Sequence, residues 1–297
     1  MITARNFRRV AVPGLLFALT LLFTLVIGVQ YHVSFHEVTL PAGQGFWAFL
    51  RQHPAAWLWG LSYSLPLLGI LLVHEMGHFL ACRRHGIEAT LPHFLPAPTL
   101  IGTFGAFIKI RSPFSSKKAL FDVGLAGPLA GFLAALPVIA LGISRSRLVE
   151  QGTLTGGLTL GEPLLFTLLV RVLLGEVPSG RELLVHPMAF AGWFGLLATA
   201  FNLFPIGQLD GGHILYSLLG RKKAHLAGIA AVLVLLVLGV VFWQGWLLWA
   251  LLATLIGLRH PPIFEEERLD PKRMALAFAA LLIFIVSFTP APLAFAP

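Results

Sequence analysis

The chain alternates between long apolar stretches and short joins rich in positive charge. A helix that crosses a membrane needs roughly 20 mainly apolar residues. Seven stretches meet or approach that length: about 12–30, 57–81, 120–142, 187–206, 225–242, 244–258 and 274–290. Two further apolar segments break the pattern. Residues 162–175 are too short to cross and carry Arg171, which predicts a helix lying in the outer interface. Residues 91–111 open with Pro92, Pro96 and Pro98; from Ala106 onward, Ala106, Ile108 and Ile110 alternate with Phe107, Lys109 and Arg111. A period of two predicts a strand. Its backbone groups cannot face lipid, so a small re-entrant β hairpin or sheet packed on the helices is expected. The pattern as a whole predicts an all-α polytopic membrane protein with about seven transmembrane helices and this one membrane-associated β element.

Composition agrees. The chain is 57% hydrophobic and 11% charged, with a mean hydropathy of +0.84, against about 25% charged residues in a soluble domain. The net charge of +8 reads as topology rather than nucleic-acid binding, because Lys and Arg gather in cytoplasmic loops. Arg5, Arg8 and Arg9 place the N-terminus in the cytoplasm, and Arg83, Arg84, Lys117, Lys118, Arg221 to Lys223 and Arg259 to Arg273 fall on the same side if the spans alternate. The basic start and the apolar run from Gly14 to Val29 resemble a signal peptide, but no A-x-A site follows, so an uncleaved first span is expected. The loop 143–186 is too short for a further domain. Residues 1–297 therefore read as a single membrane domain, with an anchor helix at 12–30, a core at about 57–220 and C-terminal helices at 225–290. The join from Trp243 to Trp246 suits an interfacial aromatic turn. The single cysteine, Cys82, excludes an internal disulfide and a cysteine-rich zinc site.

Candidate chemistry begins at His74-Glu75-Met76-Gly77-His78. Residues i and i+4 of a helix share a face, so two imidazoles there can hold one zinc ion, and Glu75 can reach a metal-bound water as general base. Ionisable residues inside an apolar helix are costly and mark function by default. A catalytic zinc usually takes three protein ligands. The best third candidate is Asp210, in the Pro- and Gly-broken run from Asn202 to Gly212 that ends one span at the same depth as His74 and His78. Taken alone, Asp210-Gly211 is ordinary turn chemistry. Gly127 and Gly131 have the spacing of close helix packing, Asp122 reads as an N-cap, and His213 reads as either structural or a neighbour of the metal ligands. His32, His36, His53, His186, His225 and His260 fall in loops or at helix ends and need no metal.

HExxH in one membrane helix and NxxPxxxLDGG in a later one resemble the site-2 protease family of intramembrane metalloproteases. The run from Asp122 to Gly131 matches the family's Gly-Pro-Leu element, and Gly105 in GTFGAFIKI resembles its strand region. The resemblance covers about 60–220 and is nearest to bacterial and plastid-type members without a large extramembrane insertion. It implies one Zn²⁺ per chain held by His74, His78 and Asp210, with Glu75 as catalytic base. It implies that Asn202 helps hold substrate or oxyanion. His93 departs from an expected aromatic. Gly105, Ala106, Phe107 and Ile108 are candidate substrate-binding positions, since an unwound substrate segment can add to a strand edge. The implied substrates are single-span membrane proteins, with an upstream protease as a further partner. The expected setting is a bacterial inner membrane. A metal transporter would need several polar helices along a continuous path, and spans one, five, six and seven are almost wholly apolar. A non-catalytic scaffold would not need Glu75.

Overall fold

The computed structural model describes residues 4–38, 45–152, 158–263 and 267–295. Its elements in chain order are α1 (Ala4–Phe35), α2 (Phe46–Gln52), a 3₁₀ segment (Pro54–Gly60), α3 (Leu61–Arg84), β1 (His93–Pro96), β2 (Thr103–Phe107) and α4 (Lys117–Ile143). There follow β3 (Arg147–Glu150), β4 (Leu158–Leu160), α5 (Leu164–Leu174), β5 (Arg181–Leu184), α6 (Pro187–Asn202), α7 (Asp210–Leu219), α8 (Arg221–Val241), α9 (Gly245–Ile256), α10 (Pro271–Ser287) and β6 (Leu293–Phe295). Residues 153–157 of the expected 143–186 loop lie outside the described residues.

Among the described residues, four helices, not seven, are long and apolar enough to cross a membrane: Val10–Phe35, Pro54–Arg84, Lys117–Ile143 and Arg221–Val241. The other three expected spans are helices, but short ones of 16, 12 and 17 residues. At 1.5 Å per residue, 16 residues reach about 24 Å, short of a hydrocarbon core about 30 Å thick. Each stops at a backbone device. α6 ends before Pro205, α9 at Gly257 with φ of 111°, and α10 before Pro290. The expected interfacial segment is the helix α5, with Phe166 and Val170 turned inward and Arg171 exposed.

The heart of the bundle is α3, α4 and α6, where Tyr63, Leu67, Ile139, Trp193 and Leu196 are fully buried. Apolar side chains left on the outside, such as Leu226, Leu233 and Val237 of α8 and Leu248, Leu251 and Leu255 of α9, suit a lipid environment. Trp246 departs from the interfacial reading. It is wholly buried, and its indole N–H donates to Pro290 O at 2.6 Å.

The expected hairpin is present with its strand earlier than the alternation suggested. β1 and β2 are antiparallel, with His93 opposite Phe107, Phe94 opposite Ala106 and Pro96 opposite Thr103. Beyond β2, an isolated bridge joins Ala89 and Ile110, and the alternation of half-buried and exposed side chains persists from Ala106 to Arg111. α1 covers the hairpin, with Phe17 meeting Phe94 edge-on. The turn presses so closely on α1 that a Cβ at Gly102 would lie 2.9 Å from the Thr24 backbone. Two tyrosines satisfy its carbonyls: Tyr31 donates to Leu100 O at 2.6 Å and Tyr63 to Ile101 O at 3.0 Å. This is how the bundle tolerates irregular backbone at that depth. Two more two-stranded sheets, β3 with β5 and β4 with β6, were not apparent in the hydropathy pattern.

Asp122 is not the N-cap of α4. Ser116 takes that position, accepting from Ala119 N at 3.2 Å. Asp122 instead accepts from Arg273 Nε at 2.8 Å and Nη2 at 2.5 Å, and lies 2.9 Å from His85 Nε2. Arg273 also pairs with Asp270, the N-cap of α10. Arg273 thus fastens α10 to α4, and Asp122 ties α4 to His85 at the end of α3. Charge-assisted hydrogen bonds contribute more than neutral ones, and a bidentate fork is specific to arginine. Arg273→Ala is therefore expected to cost about 2 kcal/mol, read as a lower unfolding temperature in detergent, with Arg273→Lys recovering only part of it.

Candidate metal centre

His74, Glu75 and His78 occupy the second half of α3 and are buried to within 5–7% residual exposure. Their i, i+4 spacing turns both imidazoles toward α4. Asp210 arrives from elsewhere in the chain. α6 ends at Asn202, and the loop through Pro205 and Gly207, with φ of 50°, reverses the backbone so that Asp210 opens α7. Gly211 and Gly212 make that reversal possible: a Cβ on either would run into the carbonyls of Leu203 or Gly207.

Three ligand atoms converge. His74 Nε2 and His78 Nε2 are 3.1 Å apart, and Asp210 Oδ2 is 3.4 Å from the first and 3.2 Å from the second. Ligands about 2.0–2.1 Å from a tetrahedral zinc lie about 3.3 Å from one another, so the triangle has the right size. The donor set also fits. The Nδ1–H of His78 donates to Val123 O at 2.7 Å, which leaves the Nε2 lone pair facing the carboxylate of Asp210. Two acceptors so placed need a cation or a proton between them, and a backbone acceptor behind a ligating histidine is the usual second shell of a metal site. Among the described residues, this is the one group of three or more such side chains close enough to share a metal ion.

The room for these rings comes from α4. A Cβ at Gly127 would overlap the imidazole of His78, and one at Gly131 would lie 2.9 Å from His74 Nδ1. On the other side, Gly77 of α3 sits against the Ala126 carbonyl and Ala130. The glycine pair is therefore a seat for the two histidines as well as a packing feature. Its signal was in the sequence: two glycines four apart lie across from two histidines four apart.

The remaining candidates gather around the triangle. Asn202 Nδ2 lies 3.3 Å from His74 Nε2. The backbone N–H of Ile108 is directed at the Glu75 carboxylate. Gly105, with φ of 100°, lies with Ala106 and Phe107 in β2, and Ile108 directly follows it. His213 of α7 has its Nδ1 2.9 Å from His260 Nε2.

A sequence profile of peptidase family M50 matches residues 62–243, a stretch that holds His74, Glu75, His78, Asn202 and Asp210. This chain belongs to that family. It is 37% identical to the probable zinc metalloprotease EGY1, chloroplastic, of Oryza sativa subsp. japonica, over 54% of this chain and 28% of that protein. It is 33% identical to the probable zinc metalloprotease EGY2, chloroplastic, of Arabidopsis thaliana, over 80% of this chain and 43% of that protein. The chain thus matches less than half the length of these relatives. No solved structure matches it. Membership bears out the resemblance to the site-2 proteases, and the relatives' names agree with the expected zinc metalloprotease class and zinc cofactor. The expected bacterial inner membrane is not borne out, since both relatives are named as chloroplastic.

If the glycine seat is what admits the imidazoles, Gly127→Ala in this M50 chain should lower zinc content as sharply as His78→Ala. Gly14→Ala, where an added Cβ meets nothing within 4 Å, should leave it unchanged. Elemental analysis of the purified variants decides this, and full zinc in Gly127→Ala would refute the seat.

Proposed function

We propose that this chain is an intramembrane zinc metalloprotease that cuts peptide bonds in or near the membrane segment of single-span proteins. The observation that carries the proposal is Glu75: a carboxylate at 6% exposure, inside a helix long enough to cross a membrane, next in sequence to one of three atoms spaced for zinc.

Bound zinc would supply a Lewis acid and lower the pKa of water from about 15.7 to about 7. The chain's own groups do the rest. Glu75 takes a proton from the attacking water and returns it to the leaving amine. The Ile108 N–H faces the Glu75 carboxylate and would help to orient it. The Asn202 amide, beside His74, donates to the oxygen on which negative charge develops. Water reaches the centre from the Asp210 side, where 14% of that side chain is exposed.

A helical substrate hides its carbonyls in hydrogen bonds and must unwind before attack. β2 pairs with β1 along one edge only, and its other edge offers backbone partners to an unwound segment by strand addition. Gly105 to Ile108 would then align substrate beside Glu75. The partner is a single-span membrane protein. By the charge pattern, the N-terminus of α1 and the basic end of α3 share the cytoplasmic side.

Glu75→Gln keeps size and hydrogen bonding but removes the base. Cleavage of a single-span substrate in liposomes should fall by roughly 10²–10⁴-fold, zinc content should stay within error of wild type, and uncut substrate should co-purify. Joint loss of zinc and activity would make Glu75 a ligand; retention of both would make the HExxH segment structural.

A further inference from the structure

The turn that presents Asp210 also lines, at Gly207 and Gly212, a cavity of about 310 Å³ that the proteolytic reading does not use. Its inner wall is the backbone of Gly207 and Gly212. Its mouth carries Arg221 and Lys222 from the first turn of α8 and Arg259 from the segment after α9, all three exposed. His225 and His260 complete the polar lining, and none of the described residues that line it is acidic.

The two histidines are already engaged. His225 Nδ1 lies 3.2 Å from Leu258 O. His260 Nδ1 lies 2.6 Å from Pro261 O, while its Nε2 meets His213. Burial lowers the His260 imidazole below its ordinary range, so the positive charge comes from the two arginines and the lysine. The start of α8 adds to it: no side chain caps that helix, and its free N–H groups and dipole favour an anion. Three cations lining a concave pocket that has no acidic side chain among its described residues point to a compact anion with several acceptor oxygens, and arginine forks match phosphate.

The location narrows the source. α8 is one of the four helices fit to cross a membrane, and the cavity lies at its first turn. That is where a transmembrane helix meets the headgroup layer, and basic pockets between helices at that level suit acidic headgroups. We propose that this cavity is a binding site for the phosphate group of an anionic phospholipid, seated between α8, the segment after α9 and the Gly207–Gly212 turn. It goes beyond the proteolytic reading and does not depend on it.

Native mass spectrometry of the full chain in detergent tests this, with phosphatidylglycerol and phosphatidylcholine titrated in parallel and inorganic phosphate as the soluble arm. Wild type should retain phosphatidylglycerol in preference to phosphatidylcholine. Each cation near a headgroup contributes about fivefold in affinity, so Arg221→Gln/Lys222→Gln/Arg259→Gln should weaken phosphatidylglycerol binding by roughly a hundredfold. Arg83→Gln/Arg84→Gln, which removes cations outside this cavity, should change it less than twofold. Should the triple variant not fold, Arg259→Gln alone should show about a fivefold loss. Equal phosphatidylglycerol binding by wild type and variant overturns the site. Binding of inorganic phosphate with no preference between the two lipids overturns the headgroup as its source.

Discussion

Two imidazoles and the carboxylates of Glu75 and Asp210, held between apolar helices with little exposure, must find most of their partners inside the protein, because lipid will not solvate them at low cost. The rest of the structure answers that demand. α3 and α4 approach closely enough for the Val123 carbonyl to reach His78 because Gly77, Gly127 and Gly131 carry no side chain. α6 stops at Asn202 so that the chain can turn and deliver Asp210. The hairpin end brings the Ile108 N–H to Glu75. Close packing in a membrane commonly rests on small residues; here the same glycines also leave the volume that the His74 and His78 rings fill.

The hairpin obeys the same rule in another form. A two-stranded sheet at membrane depth has unpaired edges and turn carbonyls, and each must be covered. α1 covers one side, and Tyr31 and Tyr63 supply hydroxyls to the turn. On the proposed function, the edge of β2 that is not paired with β1 would receive an unwound substrate segment.

Much of this was legible in the sequence because it follows local periodicities. HExxH spacing sets one helical face, the Asp-Gly-Gly run marks a tight turn, and alternation from Ala106 to Arg111 marks extended backbone. What was not legible depended on partners distant in the chain. Asp122 looked like a cap until Arg273, 151 residues away, was seen to grip it. Trp246 looked interfacial until the bundle closed over it. Gly127 and Gly131 looked like packing alone until the opposite helix was known to present histidines. Helix lengths failed for a related reason: apolar runs at 187–206, 244–258 and 274–290 continue past Asn202, Ile256 and Ser287, where the helices end ahead of Pro205, Gly257 and Pro290.

The central claim is that His74, His78 and Asp210 hold one zinc ion. X-ray absorption at the zinc edge of the purified protein tests it most directly, because imidazole rings leave a countable scattering signature. The account predicts one zinc per chain with two imidazoles and light oxygen ligands at about 2.0–2.2 Å, with one imidazole lost in His78→Ala. A spectrum with three imidazoles, or one unchanged in Asp210→Ala, would contradict it.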